Sequence, residues 1–101
     1  MHVVAEGLAD RFAAQLCPQV SFPWDHALTA AETRKEWAAA KRELYASSWD
    51  PGYWLYGNGL PRWTGYTLGW QIVGRYLAAH RLRAAAAVNR PSTAFLDGFR
   101  P

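Results

Sequence analysis

Glu6 and Asp10 stand one helical turn apart in the run Glu6-Gly7-Leu8-Ala9-Asp10. Two carboxylates at that spacing project only about 40° apart on a helix, so they share a face. When both are ionised they repel by roughly a few tenths of a kcal/mol. Two readings are open. In the plainer one the pair belongs to a solvated polar face. In the sharper one Glu6 binds a metal ion, and Asp10 orients a ligating histidine through that ring's other nitrogen. His2 lies one turn before Glu6, a spacing that chance often produces near a terminus. His26 and His80 read as hydrogen-bonded structural histidines, and Cys17 as a small apolar filler before Pro18. Gln71 and Arg75 either reach water or form a buried network across to Asp10.

Periodicity and punctuation supply the elements that position these groups. Val4, Leu8, Phe12 and Leu16 recur every four residues and predict an amphipathic helix over about 2–17, closed by Pro18, with that stripe facing the core and Glu6 and Asp10 opposite. Residues 18–28 hold two prolines and read as an ordered loop pinned by Phe22 and Trp24. Thr29 followed three residues later by Glu32 is a capping box that opens a helix over 30–47. Its inward stripe is Ala30, Thr33, Trp37, Ala40 and Leu44, with Lys35, Glu36, Arg42 and Glu43 on a solvated face. Residues 47–63, dense in Gly, Pro and aromatics, predict a long loop ordered by stacking. Thr64 is the expected N-cap of a third helix over 65–83. That helix is apolar round most of its girth, with only Gln71, Gly74, Arg75 and Ala78 on a narrow opposite strip, and so must be buried on several sides. Gly65 and Gly69 on one face invite another backbone to approach closely. Residues 84–90 read as an Ala-rich continuation or fraying end, and 92–97 as a short terminal helix. The fold class is all-α: three main helices plus a short C-terminal one, in a single domain over 1–101.

Composition bounds the rest. The chain has 101 residues, 50% hydrophobic, with a net charge of +3. With a mean hydropathy of −0.23, it carries too much apolar surface for intrinsic disorder. No run approaches the roughly 20 apolar residues of a membrane helix, and the first residues lack a signal-peptide layout. Cys17 is alone, which excludes an internal disulfide and a Cys-based zinc site and leads us to expect a reducing, cytoplasmic setting. Aromatics make up 15% of residues, so either the core is aromatic-rich or some rings belong against a partner or a missing segment.

The stretch Pro61-Arg62-Trp63-Thr64-Gly65-Tyr66, leading into a Gly-containing helix, resembles a family of bacterial predicted zinc-dependent proteases. Glu6-Gly7-Leu8-Ala9 resembles that family's Glu-Gly-Leu-Ala helix. The loop Trp24–Ala27 into Leu28-Thr29 and Glu32, the Trp54-Leu55-Tyr56-Gly57 stretch and the closing Asp97-Gly98-Phe99 are similar too. The likeness therefore runs along nearly the whole chain, in order. It implies a His-Glu-x-x-His peptidase of the type with a downstream glutamate, in which two histidines and that glutamate bind Zn²⁺. By this resemblance Glu6 takes the place of the downstream zinc ligand. Asp10 takes that of the acidic residue that supports a ligand, and the fold is the C-terminal subdomain of a zincin-like metallopeptidase. Tyr66 or Tyr56 could donate to a tetrahedral oxyanion, or be packing aromatics. Arg62 either clamps a substrate carboxylate or stacks on Trp63.

The sequence departs from that pattern in one large respect: it contains no His-Glu-x-x-His, and none of its three histidines has another four residues away. In the family that motif lies on a helix upstream of the Glu-Gly-Leu-Ala segment, and this chain begins just before that segment. The expectation is a C-terminal half, inactive as a protease by itself, because one ligand cannot fill the three protein positions of a catalytic zinc site. A bare aromatic face would then favour self-association or marginal stability. The expected partners are a peptide or protein substrate for the complete enzyme, and no membrane. Two other function classes compete: a non-catalytic helical interaction module, and a small basic nucleic-acid-binding protein. A pI of 9.4 suits the latter, but its basic residues are spread along the chain rather than interleaved with aromatics on one face.

Overall fold

A computed structural model describes residues 2–44 and 62–101, the side chain of His2 excepted. Four α-helices carry the described part: α1 His2–Leu16, α2 Ala30–Leu44, α3 Thr64–His80 and α4 Ser92–Leu96. Two 3-10 turns, Pro23–His26 and Ala84–Ala87, lie between them. The described residues contain no strand, as the periodicity requires. No helix among them is long and apolar enough to cross a membrane. The loop expected over 47–63, with Tyr56, lies almost wholly outside the described residues, as does the expected extension of α2 to residue 47.

The central element is α3, which buries Leu68, Ile72, Val73, Tyr76 and Leu77. Its exposed strip holds Arg75 and Ala78, with Gln71 and Gly74 half-buried beside them. Helix α1 crosses it at a contact between small residues. A Cβ added at Gly69 would strike the Val3 carbonyl oxygen and come within 3.3 Å of the Gly7 amide nitrogen. One added at Gly7 would strike the Gly69 carbonyl and sit 2.8 Å from Val73 Cγ2. Both helices thus need glycine for their backbones to touch.

That crossing corrects the expected orientation of α1. Val3, Val4 and Gly7 are buried and Leu8 packs at the edge of the core, whereas Phe12 is 44% and Leu16 64% exposed. Steps of four residues advance about 400°, so a stripe drawn from Val4 to Leu16 winds about 120° round the helix and leaves the core before it ends. Glu6 and Asp10 therefore flank the buried face, half-buried, instead of pointing directly away from it.

On α2 the inward stripe is Thr33, Trp37, Ala40 and Leu44; Ala30 is exposed and Glu36, expected in solvent, is buried. Glu36 stands three residues from Thr33 and next to Trp37, which places it on the rim of the same face. The capping box forms in both directions: Thr29 N–H donates to Glu32 Oε1 at 2.9 Å, and Glu32 N–H to Thr29 Oγ1 at 3.1 Å. The Trp37 ring meets Phe99 edge-on at 4.8 Å, and Tyr76 tilts against Phe95 at 4.2 Å, which closes α4 and the C-terminal turn over the core.

Helix α3 begins and ends on left-handed residues. Trp63, with φ 66°, precedes the first turn in place of the expected Thr64 cap, and Thr64 is buried inside it. Arg81, with φ 53°, ends it at His80, short of residue 83. Arg81 N–H bonds to the Ala78 carbonyl at 3.3 Å and Leu82 N–H to Leu77 at 3.0 Å, a Schellman closure without glycine. Residues 84–90 do not continue the helix. Ala84 and Ala87 are buried in a separate 3-10 turn, where Ala84 N–H donates to Gln15 Oε1 of α1 at 3.1 Å. Cys17 is exposed, not a filler. His26 meets Trp70 edge-on at 5.3 Å and His80 tilts against Tyr76 at 4.2 Å, so both pack against rings.

Candidate functional site

Glu6 and Asp10 of α1, Trp24 of the first 3-10 turn, and Trp63 and Tyr66 at the start of α3 line one cavity of about 310 Å³. The turn is held in place by Thr67, whose buried hydroxyl donates to the Trp24 carbonyl at 2.9 Å and accepts Ala27 N–H at 3.0 Å. One side chain from the central helix thus fixes both sides of residues 24–27. Phe22 stacks on Trp24 at 4.9 Å, while Trp63 and Tyr66 contact its other edges at 6.2 and 6.0 Å. This aromatic cluster sets the indole so that Trp24 Nε1–H donates to Asp10 Oδ2 at 2.9 Å.

The two carboxylates differ in their surroundings. Asp10 is committed to the indole, whereas no hydrogen bond or ion pair to another described residue engages the half-buried Glu6. Arg11, the nearest basic residue along α1, is directed elsewhere. Its Nε and Nη2 donate to the Trp70 carbonyl at 3.0 and 2.8 Å, and its guanidinium lies 3.6 Å over the Trp70 ring. A Cβ at Gly74 would collide with it, so the missing side chain is the slot Arg11 occupies.

Asp25 is the residue that spacing did not single out. It is 2% exposed, and neither carboxyl oxygen has a hydrogen-bond donor among the described residues. Its polar neighbour is Asp10, itself an acceptor. Burial first, then the neighbouring Asp10 side chain and the charges of Asp10 and Glu6, push the Asp25 carboxyl up to about 8, against the opposing pull of Arg11. An aspartate after Pro23-Trp24 reads as an ordinary turn former. Only the packing of the turn onto α1 and α3 reveals its burial.

Of the residues singled out from sequence, Glu6, Asp10 and Tyr66 come together and Arg62 does not. The Arg62 guanidinium lies 4.2 Å over the Trp63 ring, outside the cavity lining. Gln71 reaches Thr33 Oγ1 at 3.5 Å, and Arg75 stands 5.9 Å from the Phe99 ring, so neither builds a network to Asp10. Among the described residues no group of three His, Cys, Asp or Glu could hold a metal ion. A catalytic zinc needs three protein ligands, so these residues do not fit the ion by themselves. They offer one unengaged carboxylate at the edge of a cavity.

A family model described as "Predicted Zn-dependent protease (DUF2268)" matches residues 2–97. No curated protein and no solved structure matches the chain.

Proposed function

Because the chain belongs to the predicted Zn-dependent protease family, we propose that it is the all-helical C-terminal subdomain of a zincin-like metallopeptidase, one domain over residues 1–101, and contributes Glu6 as a zinc ligand. The observation that supports this most is the Glu6 carboxylate: half-buried, on the wall of a cavity, and engaged by no described donor or cation. That carboxylate is therefore accessible from the cavity and open to a ligand there. On this reading the two imidazole ligands would belong to a His-Glu-x-x-His pair, which residues 1–101 do not contain. Zinc held by such a complete set of ligands would supply Lewis acidity toward a peptide carbonyl.

The chain's own residues then have distinct tasks. Glu6 would offer the anionic ligand, Asp10 would accept the N–H of a ligating histidine's other ring nitrogen, and Trp24 holds Asp10 in place. Tyr66 lines the same cavity, and its proposed role is to donate to an oxyanion. Arg62, stacked over the Trp63 ring, is the proposed contact for a substrate carboxylate. The substrate class is a peptide or protein. Alone, the chain is inactive. The test is peptide hydrolysis by the purified chain with added zinc: no chelator-sensitive turnover is expected, and such turnover would overturn the assignment of the histidines to another segment.

A second reading has one observation in its favour. Ala5, Leu8, Ala9 and Phe12 of α1 form an apolar groove of about 560 Å³ with Ala84, Ala85 and Val88, and Val88 is 60% exposed. Such a groove suits a non-catalytic helical interaction module or self-association. Sedimentation equilibrium separates the two: a monomer at micromolar concentration disfavours self-association through this face.

A further inference from the structure

We propose that Asp25 is a positioning residue that carries a proton and donates it to Asp10, fixing the Asp10 carboxylate between two donors, the Asp25 hydroxyl and the Trp24 indole. The argument begins with what surrounds Asp25. The side chain is 2% exposed, so water does not solvate it, and neither oxygen meets a donor among the described residues. An ionised carboxylate so placed would be left without compensation, which is the costliest way to bury a polar group. The neighbour it does meet, Asp10, already accepts Trp24 Nε1–H at 2.9 Å. Two acceptors bond to each other only if one brings a hydrogen, and Asp25, the more buried, is the one that does.

The charged groups around Asp25 agree with this. From α1 it faces Asp10, Glu6 and Arg11; its own turn contributes His26, and α3 contributes Arg75 across the cavity that Asp25, Arg11 and His26 line. Arg11 is the nearest cation that could hold Asp25 ionised, but its Nε and Nη2 are given to the Trp70 carbonyl. Burial is the largest influence and keeps the carboxyl protonated up to about pH 8. The proton-sharing pair thus turns Asp10 into an acceptor of fixed orientation without placing two negative charges side by side.

The inference rests on the preceding reading only for what Asp10 goes on to hold; the hydrogen bond itself is tested with no metal present. Carbon-13 NMR of the chain labelled at aspartate Cγ should show one protonated carboxyl at pH 7, lost as pH rises through about 8 and absent from Asp25→Asn. Asp25→Asn, whose amide still donates, should keep the Trp24 indole N–H resonance in its hydrogen-bonded position, whereas Asp25→Ala should lose it. A spectrum with every aspartate ionised at pH 7, or an Asp25→Asn protein that loses the indole bond, would overturn the proposal. Should Asp25→Ala not fold, the wild-type and Asp25→Asn spectra still decide. Failure of zinc binding at Glu6 would leave these signals untouched, so the two claims fail separately.

Discussion

Substituting Gly69 with alanine tests how α1 is held against α3, and hence how Glu6 is positioned. Two effects oppose each other. Alanine is favoured over glycine inside a helix by up to about 1 kcal/mol, and Gly69 lies in the middle of Thr64–His80. Against this, the new Cβ would strike the Val3 carbonyl oxygen and approach the Gly7 amide nitrogen to 3.3 Å. Both obstacles are backbone, so no rotamer change relieves the clash and the helices must move apart. Overpacking of this kind costs roughly 1–3 kcal/mol. Separation would also loosen the contacts of Val3, Val4, Leu68, Ile72 and Val73, all 3% exposed or less, which places the penalty at the upper end. The net expectation is a loss of about 2 kcal/mol, or a fall in Tm of roughly 8–16 °C for a domain this small. Urea unfolding followed by tryptophan fluorescence measures it. A Gly69→Ala protein as stable as the wild type or more so would show that helix propensity outweighs the crossing, and that α1 is not locked in this register.

Removing the Thr67 hydroxyl by Thr67→Val should cost about 2 kcal/mol, because it unties the Trp24 carbonyl and Ala27 N–H together. It should also change Trp24 fluorescence, and a silent substitution would mean that the turn is held by its aromatics alone. Thr29→Ala, which breaks the reciprocal bonds with Glu32, should cost about 1 kcal/mol in the same assay. Asp25 sets a pH dependence of known sign. Its carboxyl rises from 3.8 to about 8 on folding, so between those values the folded state binds the extra proton. Its contribution to stability is therefore fully present below about pH 4 and is lost as pH rises toward 8, with a slope of at most about 1.4 kcal/mol per pH unit. Asp25→Asn should remove that slope, so its advantage over wild type grows from pH 4 to 8; parallel stability curves would refute it. Glu32, held below the usual carboxylate range by its bonds to Thr29, acts in the opposite sense and only in acid.

Local chemistry was readable in the sequence where the interaction is itself local. The Thr29–Glu32 box needs only residues three apart, and it forms as expected. The girth of α3 is apolar enough that any packing must bury it, and Gly69 on its face marked a close approach. The orientation of α1 was harder to read, because Val4, Leu8, Phe12 and Leu16 fit a helical stripe that winds away from its partner. The partner's position, set by Gly7 against Gly69, decides where the stripe leaves the core. The end of α3 at Arg81 depends on a left-handed residue that is not glycine, and the Ala84–Ala87 turn on a hydrogen bond to Gln15, 69 residues away in sequence. Asp25 is the clearest case. Its burial arises from contacts with α1 and α3, and one aspartate in a Pro-Trp-Asp turn carries no local sign of them.

The most direct test of the account is a zinc titration of a polypeptide that joins a His-Glu-x-x-His helix to this chain, wild type against Glu6→Gln. A carboxylate ligand at position 6 predicts one bound Zn²⁺ and an affinity at least about tenfold weaker in Glu6→Gln. Equal affinities in the two proteins would contradict it.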